Sequence, residues 1–291
     1  MRIKSRPRWL MALCCVTALA GIQAASASAH TGEWAKFNFC PSTTTGVVKC
    51  INSVTTGGEV VLGTKKVPIV NPVTIQGGLS APAPGTSSRT FFAATNGITL
   101  SKTPQPVPGG LLGIVPPEKS PPLVKALSAF FFENALTGVN STLELAKPAN
   151  EIVLNELNLA FEEGTALKLP VKVHLENPFL GSKCFVGSES SPLIWNLTTG
   201  VTTPPAGFSP ITGFGGEAEF LEEAALLKIK NSKLVENNWS APTASGCGGI
   251  LSFLVNPIIN SQIGLPAAAG KNKAELVTTS YLATAAAVNS H

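Results

Sequence analysis

Two of the three histidines in this sequence have positions that could hold a metal ion. His30 directly follows a run of small residues, so cleavage of the chain after Ala29 would make His30 the new N-terminus. A terminal amine and its adjacent imidazole can clamp copper together with a second imidazole. His174 lies on the polar face of a predicted strand and is the candidate for that second imidazole. This arrangement would give a copper-dependent enzyme. Cleavage after Ala27 would instead leave His30 as the third residue, with no catalytic implication. A solvent-exposed His174 without a metal is the other alternative.

Glutamates offer a second chemistry, the acid–base hydrolysis of a glycosidic bond. All 17 acidic residues are Glu, and they cluster at Glu162-Glu163 and between residues 217 and 223. A glycoside hydrolase needs two carboxyl groups that face each other across a cleft, about 5 Å or about 6.5–9.5 Å apart. Sugar clefts also tend to be rich in aromatic residues, but the chain after residue 29 has only three Trp and one Tyr. The competing interpretation is that these glutamates are solvated surface residues.

Cysteine spacing indicates disulfides rather than a metal site. Two of the six cysteines lie in an apolar run near the start of the chain. The remaining four are Cys40, Cys50, Cys184 and Cys247. They allow three pairings, and disulfides are expected in an exported protein. We favour a local Cys40–Cys50 loop and a long-range Cys184–Cys247 crosslink, which would contribute about 3 and about 4 kcal/mol. Zinc is not favoured, since the sequence has no C-x-x-C pair.

The first 29 residues have the composition of a secretory signal peptide. Basic residues at positions 2, 4, 6 and 8 precede the apolar run Trp9–Ile22, and small residues follow it. The run is 14 residues long, short of the roughly 20 that span a bilayer. We therefore expect a secreted or cell-envelope protein without a transmembrane segment in its mature chain. Four of the 21 basic residues lie in this leader, so 17 remain to balance the 17 acidic ones, which argues against a nucleic-acid partner.

The clearest secondary-structure pattern is the alternation of apolar and polar residues from Leu167 to Glu176. A period of two predicts a strand with one face in the core and one face in water. Shorter β patterns recur along the chain between glycine- and proline-rich turns, among them Gly57-Gly58 and Gly77-Gly78. We therefore predict a mainly β protein, all-β or α+β, with an antiparallel β-sandwich-like architecture and two or three short helices.

The proline-rich stretch Lys102–Pro122 is the candidate boundary within the chain after the leader. It would separate an N-terminal β-rich part, residues 30–120, from a C-terminal β-rich part with short helices, residues 121–291. The alternative is that both parts form one continuous domain.

Two helical segments are candidates for a hydrophobic binding site. The stronger pattern follows the proline-rich stretch, contains Phe130–Phe132 and stops at Gly138. The second is Ile250–Val255, which Pro257 should kink or end. Either helix would suit a hydrophobic ligand if it lines a pocket.

Several runs of the sequence resemble a group of uncharacterised exported proteins of soil actinobacteria. The runs are VPGGLLGI (107–114), LPVKVHLENPFLGSKC (169–184), NLTTG (196–200) and SGCGGILSFLVNPIIN (245–260). The resemblance covers most of the chain after the leader and implies export. It implies no activity, cofactor or catalytic residue. The candidate copper site is in turn similar to the histidine brace of secreted copper monooxygenases, which are also disulfide-bonded β-sandwiches.

The sequence favours a non-enzymatic secreted or cell-envelope protein, structural or ligand-binding, that uses no cofactor. The nucleophile signature G-x-S-x-G and the zinc-protease signature H-E-x-x-H are absent. Candidate partners are a cell-wall component, a hydrophobic small molecule or another protein. The alternative is a secreted enzyme, either copper-dependent through His30 and His174 or a glutamate-based hydrolase.

Overall fold

The computed structural model of the protein describes residues 29–112, 117–126, 137–221 and 225–291. Three predictions lie wholly or partly outside these residues. They are the signal peptide, of which only the last residue is described, the Phe130–Phe132 part of the first predicted helix, and Glu222 and Glu223 of the second glutamate cluster.

The described residues form mainly antiparallel β structure with a few short helices, as the sequence predicts. The strands are β1 (Val47–Leu62), β2 (Lys65–Pro68), β3 (Val73–Ser80), β4 (Ser88–Phe92), β5 (Gln105–Val107), β6 (Val139–Leu145), β7 (Val153–Asn155), β8 (Leu167–Glu176), β9 (Phe185–Val186), β10 (Leu193–Leu197), β11 (Glu217–Leu221), β12 (Leu226–Glu236), β13 (Ala244–Ser245) and β14 (Lys273–Thr284). The helices are α1 (described over 122–126), α2 (Glu156–Phe161), α3 (Ser252–Ile263) and α4 (Ala285–Asn289). None of the described helices is long and apolar enough to cross a membrane.

Hydrogen bonds connect all fourteen strands into one sheet, which β4 divides into two halves. The terminal half has the strand order β11-β12-β14-β1-β3, with β2 beside β1. The central half has the order β7-β8-β6-β5, with β9 and β10 beside β8 and β13 beside β9. Apolar side chains of both halves meet in one core, so the two halves pack face to face in a sandwich-like arrangement.

The long strand β8 organises the central half. It pairs with β10 through its first residues and with β6 through its last ones. Its alternation is as predicted, because the apolar residues are buried and the polar residues of the opposite face are only partly buried. The buried apolar residues are Leu167, Leu169, Val171, Val173 and Leu175. β8 thus supplies one wall of the core and places His174 on the outer face.

Strands from before and after the proline-rich stretch alternate within the sheet. β14 pairs with β1 over twelve positions and β7 pairs with β4, while β5 lies within the proline-rich stretch and pairs with β6. Residues 30–120 and 121–291 therefore share one hydrogen-bonded sheet and one main core.

Both disulfides have the pairing that the sequence favours. Cys40–Cys50 joins the segment before β1 to β1 itself, and Cys184–Cys247 joins the chain after β8 to the turn before α3, 63 residues later. All four cysteines are buried. Disulfides form and persist in oxidising compartments, so these two crosslinks indicate a secreted or extracellular protein.

Two glycine pairs that the sequence predicts as turns lie inside strands instead. Gly57-Gly58 is in β1 and Gly77-Gly78 is in β3. Gly58 has φ +100°, and a Cβ there would lie 2.0 Å from the carbonyl oxygen of Glu275 on β14. Glycine is required here because the neighbouring backbone approaches closely, which a single-sequence pattern does not reveal.

The predicted helix at Ile250–Val255 is longer than the sequence suggests. A 3-10 turn at Gly249–Leu251 leads into α3, which passes through Pro257 and ends at Ile263. Gly264 then adopts the left-handed conformation that terminates many helices. The proline does not end the helix, because the buried Ile259 and Ile263 beyond it pack into the core and stabilise the last turns.

We expect Gly58→Ala to lower the free energy of unfolding by more than about 2 kcal/mol, since its Cβ would overlap the backbone of β14. Gly57→Ala is the matched control, because its Cβ would meet only Val277 Cβ at 3.8 Å. Urea denaturation of both variants measures the difference. Equal losses in the two variants would contradict the role assigned to Gly58.

Candidate functional site

An internal cavity of about 130 Å³ lies between the two halves of the sheet. The terminal half contributes Val60 and Leu276 to its walls, and the central half contributes Val173 and Trp195. The inner side of α3 covers one side of the cavity. It is the interior of the sandwich, left incompletely filled by side chains.

The cavity walls are strongly apolar. Of the 30 residues that line the cavity, 21 have Val, Leu, Ile or Trp side chains. A cavity of this size is smaller than the roughly 300–1,000 Å³ of sites for drug-sized ligands. It is close to the roughly 150 Å³ of an engineered apolar cavity that binds benzene. The walls therefore suit a compact, largely apolar molecule.

Some of the polar groups at the cavity are already hydrogen-bonded within the protein. The side chain of Gln105 accepts from the backbone N–H groups of Val70 and Asn71, and it donates to the carbonyl oxygens of Asn71 and Thr103. The hydroxyl of Ser53 accepts a hydrogen bond of 2.8 Å from the hydroxyl of Ser280. These groups are structural, because their donors and acceptors are used to hold loops and strands together.

Two donors at the cavity have no hydrogen-bond partner in the described part of the chain. They are Thr278 Oγ1 on β14 and Trp195 Nε1 on β10. The two residues are 3% and 0% exposed, respectively. A buried donor without a partner costs about 1–3 kcal/mol. Each half of the sheet thus contributes to the lining one residue with an unsatisfied polar atom.

The cavity reaches the surface beside the C-terminal end of α3. Gln262 is exposed and Lys65 is half-buried, and both contribute to its lining. The turn between β1 and β2 is fixed to α3 at this place, since the backbone N–H of Thr64 donates to the carbonyl oxygen of Ile263 at 2.7 Å. The opening is therefore framed by a turn and a helix end.

The alternation in β14 contained a signal for Thr278 that the sequence analysis missed. Ala274, Leu276, Thr278, Ser280 and Leu282 are all buried, at every second position. Thr278 and Ser280 are hydroxyl residues at positions that face the core, so the sequence pattern indicates buried polar groups there. Trp195 has the same inward position in β10, between the buried Leu193 and Leu197.

The two candidate copper ligands have different surroundings, since His30 precedes the first strand and His174 lies within β8. The backbone N–H of His30 donates to Asn38 Oδ1 at 2.7 Å, near the end of the terminal half. His174 is on the outer face of β8, where its ring stacks on Phe185 and its Nδ1 is 3.2 Å from Glu176 Oε1. No group of three His, Cys, Asp or Glu side chains in the described ranges could hold a metal ion. The structure thus does not bring the residues of the copper hypothesis together.

The glutamate clusters that could suit a hydrolase are on the surface. Glu162 accepts a hydrogen bond from the backbone N–H of Gly215 at 2.8 Å, and Glu163 is exposed. Glu217 is exposed, and Glu219 forms an ion pair with Lys230. Among these described carboxylates, Glu163 and Glu217 are exposed, Glu162 accepts from a backbone N–H group and Glu219 pairs with a lysine, which favours the interpretation as surface glutamates.

The most deeply buried described carboxyl belongs to Glu236 at the end of β12, which the sequence analysis did not single out. It is 5% exposed, and it accepts hydrogen bonds from the backbone N–H groups of Asn196 at 3.1 Å and Asn238 at 2.5 Å. Burial raises the pKa of Glu236, and the hydrogen bonds from Asn238, Asn196 and Asn237 offset only part of this increase. Glu236 connects β10 to β12 and has a structural role.

Comparisons with protein-family models, curated proteins and solved structures found no match for this chain.

The pKa of Glu236 predicts how stability depends on pH. Its folded pKa is above the unfolded value of about 4.3, so ionisation in the native state opposes folding. The contribution of Glu236 to the free energy of unfolding is greatest below its unfolded pKa. It is lost as the pH rises through its folded pKa. The free energy of unfolding of the wild type relative to Glu236→Gln should therefore fall from pH 4 to pH 7 (both values approximate) in urea titrations.

Glu59 is a control with the opposite pH dependence of stability, because its pKa is lowered on folding. Burial alone would raise its pKa, but hydrogen bonds from Lys273 and Lys66 outweigh burial and lower it. The stability contributed by Glu59 is present above the unfolded pKa and is lost as the pH falls through the folded value. The wild type should therefore gain stability relative to Glu59→Gln as the pH rises. Parallel trends for the two variants would contradict these assignments.

Proposed function

We propose that the protein is a secreted binding protein that holds a compact apolar molecule with one hydrogen-bond acceptor in the cavity between its sheet halves. Support for export comes from the signal-peptide pattern of residues 1–29 and from the two disulfides. The resemblance to exported actinobacterial proteins is consistent with this location. Among the candidate partners, the hydrophobic small molecule is the one that an internal apolar cavity suits.

The observation that carries this proposal is the pair of unpartnered donors, Thr278 Oγ1 and Trp195 Nε1, on the cavity walls. Two unpartnered donors among the lining residues are available to an acceptor atom, because a buried donor gains free energy when it becomes hydrogen-bonded. A ligand with an acceptor atom would satisfy such a donor, and its apolar body would fill the rest of the space.

The indole N–H signals of the protein test binding directly. We expect cyclohexanone to shift the Trp195 Nε1–H resonance in two-dimensional NMR spectra, since its carbonyl can accept from this group. Trp34 is the internal control, because it belongs to a separate core cluster beside α4 and does not line the cavity, whereas Trp239 contacts the Trp195 ring. Trp195→Phe assigns the signal. No shift, or equal shifts of the Trp195 and Trp34 signals, would refute a site in the cavity.

A pair of matched variants tests the polar contact. Thr278→Val removes the hydroxyl at constant shape, and we expect it to reduce the preference for cyclohexanone over methylcyclohexane about three- to tenfold. Thr142→Val is the control, since Thr142 Oγ1 is likewise buried and unpartnered but lies away from the cavity. NMR titrations of each variant with both compounds give the two affinities. If both variants keep the wild-type preference for cyclohexanone over methylcyclohexane, Thr278 has no role in binding.

A further inference from the structure

The outer side of α3 and the turn before it form a large exposed apolar surface, which we call the α3 surface. It consists of Phe179, Ile250, Leu251, Phe253, Leu254 and Ile258. Ile250 is 96% exposed and Phe253 is 70% exposed. Exposed apolar groups on this scale mark an interaction site rather than ordinary surface.

The α3 surface is supported by a rigid frame. Cys247, immediately before the turn, is crosslinked to Cys184, and its backbone N–H donates to Asn256 Oδ1 in α3 at 2.9 Å. The backbone N–H of Gly248 donates to the carbonyl oxygen of Leu180, which holds the loop with Phe179 against the turn. The exposed side chains are thus held in place by a disulfide and by buried hydrogen bonds.

This part of the chain carries no charge. The sequence contains no Lys, Arg or Glu between Glu236 and Lys271, and it contains no Asp at all. Ile250 projects outward from the protein, since a side chain that is 96% exposed has almost no contacts within its own chain. A protein partner would need a concave, complementary surface for such a projection, whereas a fluid lipid phase adapts to any shape.

We propose that the α3 surface inserts into the interfacial region of a lipid bilayer, with Ile250 and Phe253 as the deepest side chains. An apolar helix that lies in the plane of the interface binds through its buried apolar area. Helix α3 contains no charged residue, and the exposed Lys183 lies beside the turn before it, since a Cβ on Gly246 would be 3.4 Å from the Cβ of Lys183. Binding should therefore occur on neutral vesicles, and any gain on anionic vesicles should be small and should disappear as salt is added.

The position of α3 relates the α3 surface to the cavity, and this step rests on the proposed function. The inner side of the helix lines the cavity with Ile259 and Ile263, and the opening lies beside Gln262 at its C-terminal end. Lipid contact on the outer side would place that opening next to an apolar phase. An apolar ligand would then move between bilayer and cavity without crossing bulk water.

Vesicle flotation tests the proposal with the mature chain, which lacks the apolar leader of residues 1–29. We expect the wild type to float with neutral phosphatidylcholine vesicles, and Phe253→Glu to reduce the bound fraction at least about tenfold. Phe161→Glu is the matched control, since Phe161 on α2 is 68% exposed and distant in sequence from the α3 surface. This control should bind like the wild type. Both substitutions are on the surface, so circular dichroism should show that folding is retained.

Several outcomes would overturn the lipid proposal. One is the absence of flotation with any vesicle, and another is an equal loss in Phe161→Glu. A dimer in sedimentation velocity that Phe253→Glu dissociates, without vesicle binding, would assign the α3 surface to a second copy of the chain. The cyclohexanone shift of Trp195 is measured without vesicles, so failure of lipid binding and failure of ligand binding are distinguishable.

Discussion

The pairing of β1 with β14 is the interaction on which the rest of this structure depends. It joins strands more than two hundred residues apart over twelve positions, so the terminal half cannot form until the whole described chain is present. Its inner side carries Thr278 and its neighbour Thr55 into the cavity wall. On its outer side, Lys273 contacts Glu59 and Glu275, each at 2.8 Å, and the pKa values of both carboxyls are lowered. One strand pair therefore sets both the cavity and the surface charge pattern beside it.

The cavity is a departure from close packing in the centre of the molecule. At about 24 cal/mol per Å³, an empty volume of about 130 Å³ corresponds to about 3 kcal/mol of lost packing. The Cys184–Cys247 crosslink, with a contribution of about 4 kcal/mol, is large enough to offset it. The two unpartnered donors add a cost of about 1–3 kcal/mol each. Occupation by the proposed ligand would offset both costs.

Helix α3 packs against the core on one side and is exposed on the other. Its inner residues, Ile259 and Ile263, belong to the main core, and its outer residues form the α3 surface. Most helices of soluble folds are apolar on one side, because only that side is removed from water. The lipid interface proposed above would provide an apolar environment for the outer residues of α3. The same short element would then serve ligand and membrane.

The sequence by itself determined the local features of this protein. The alternation in Leu167–Glu176 defined a strand, and the cysteine spacing favoured the two disulfides, because period and loop length are properties of neighbouring residues. Tertiary structure decided what depends on distant partners. Gly57-Gly58 became part of a strand because β14 lies against it, and Pro257 remained within a helix because the core holds the turns beyond it. The cavity forms only where the two halves of the sheet meet, so no local sequence pattern could predict it.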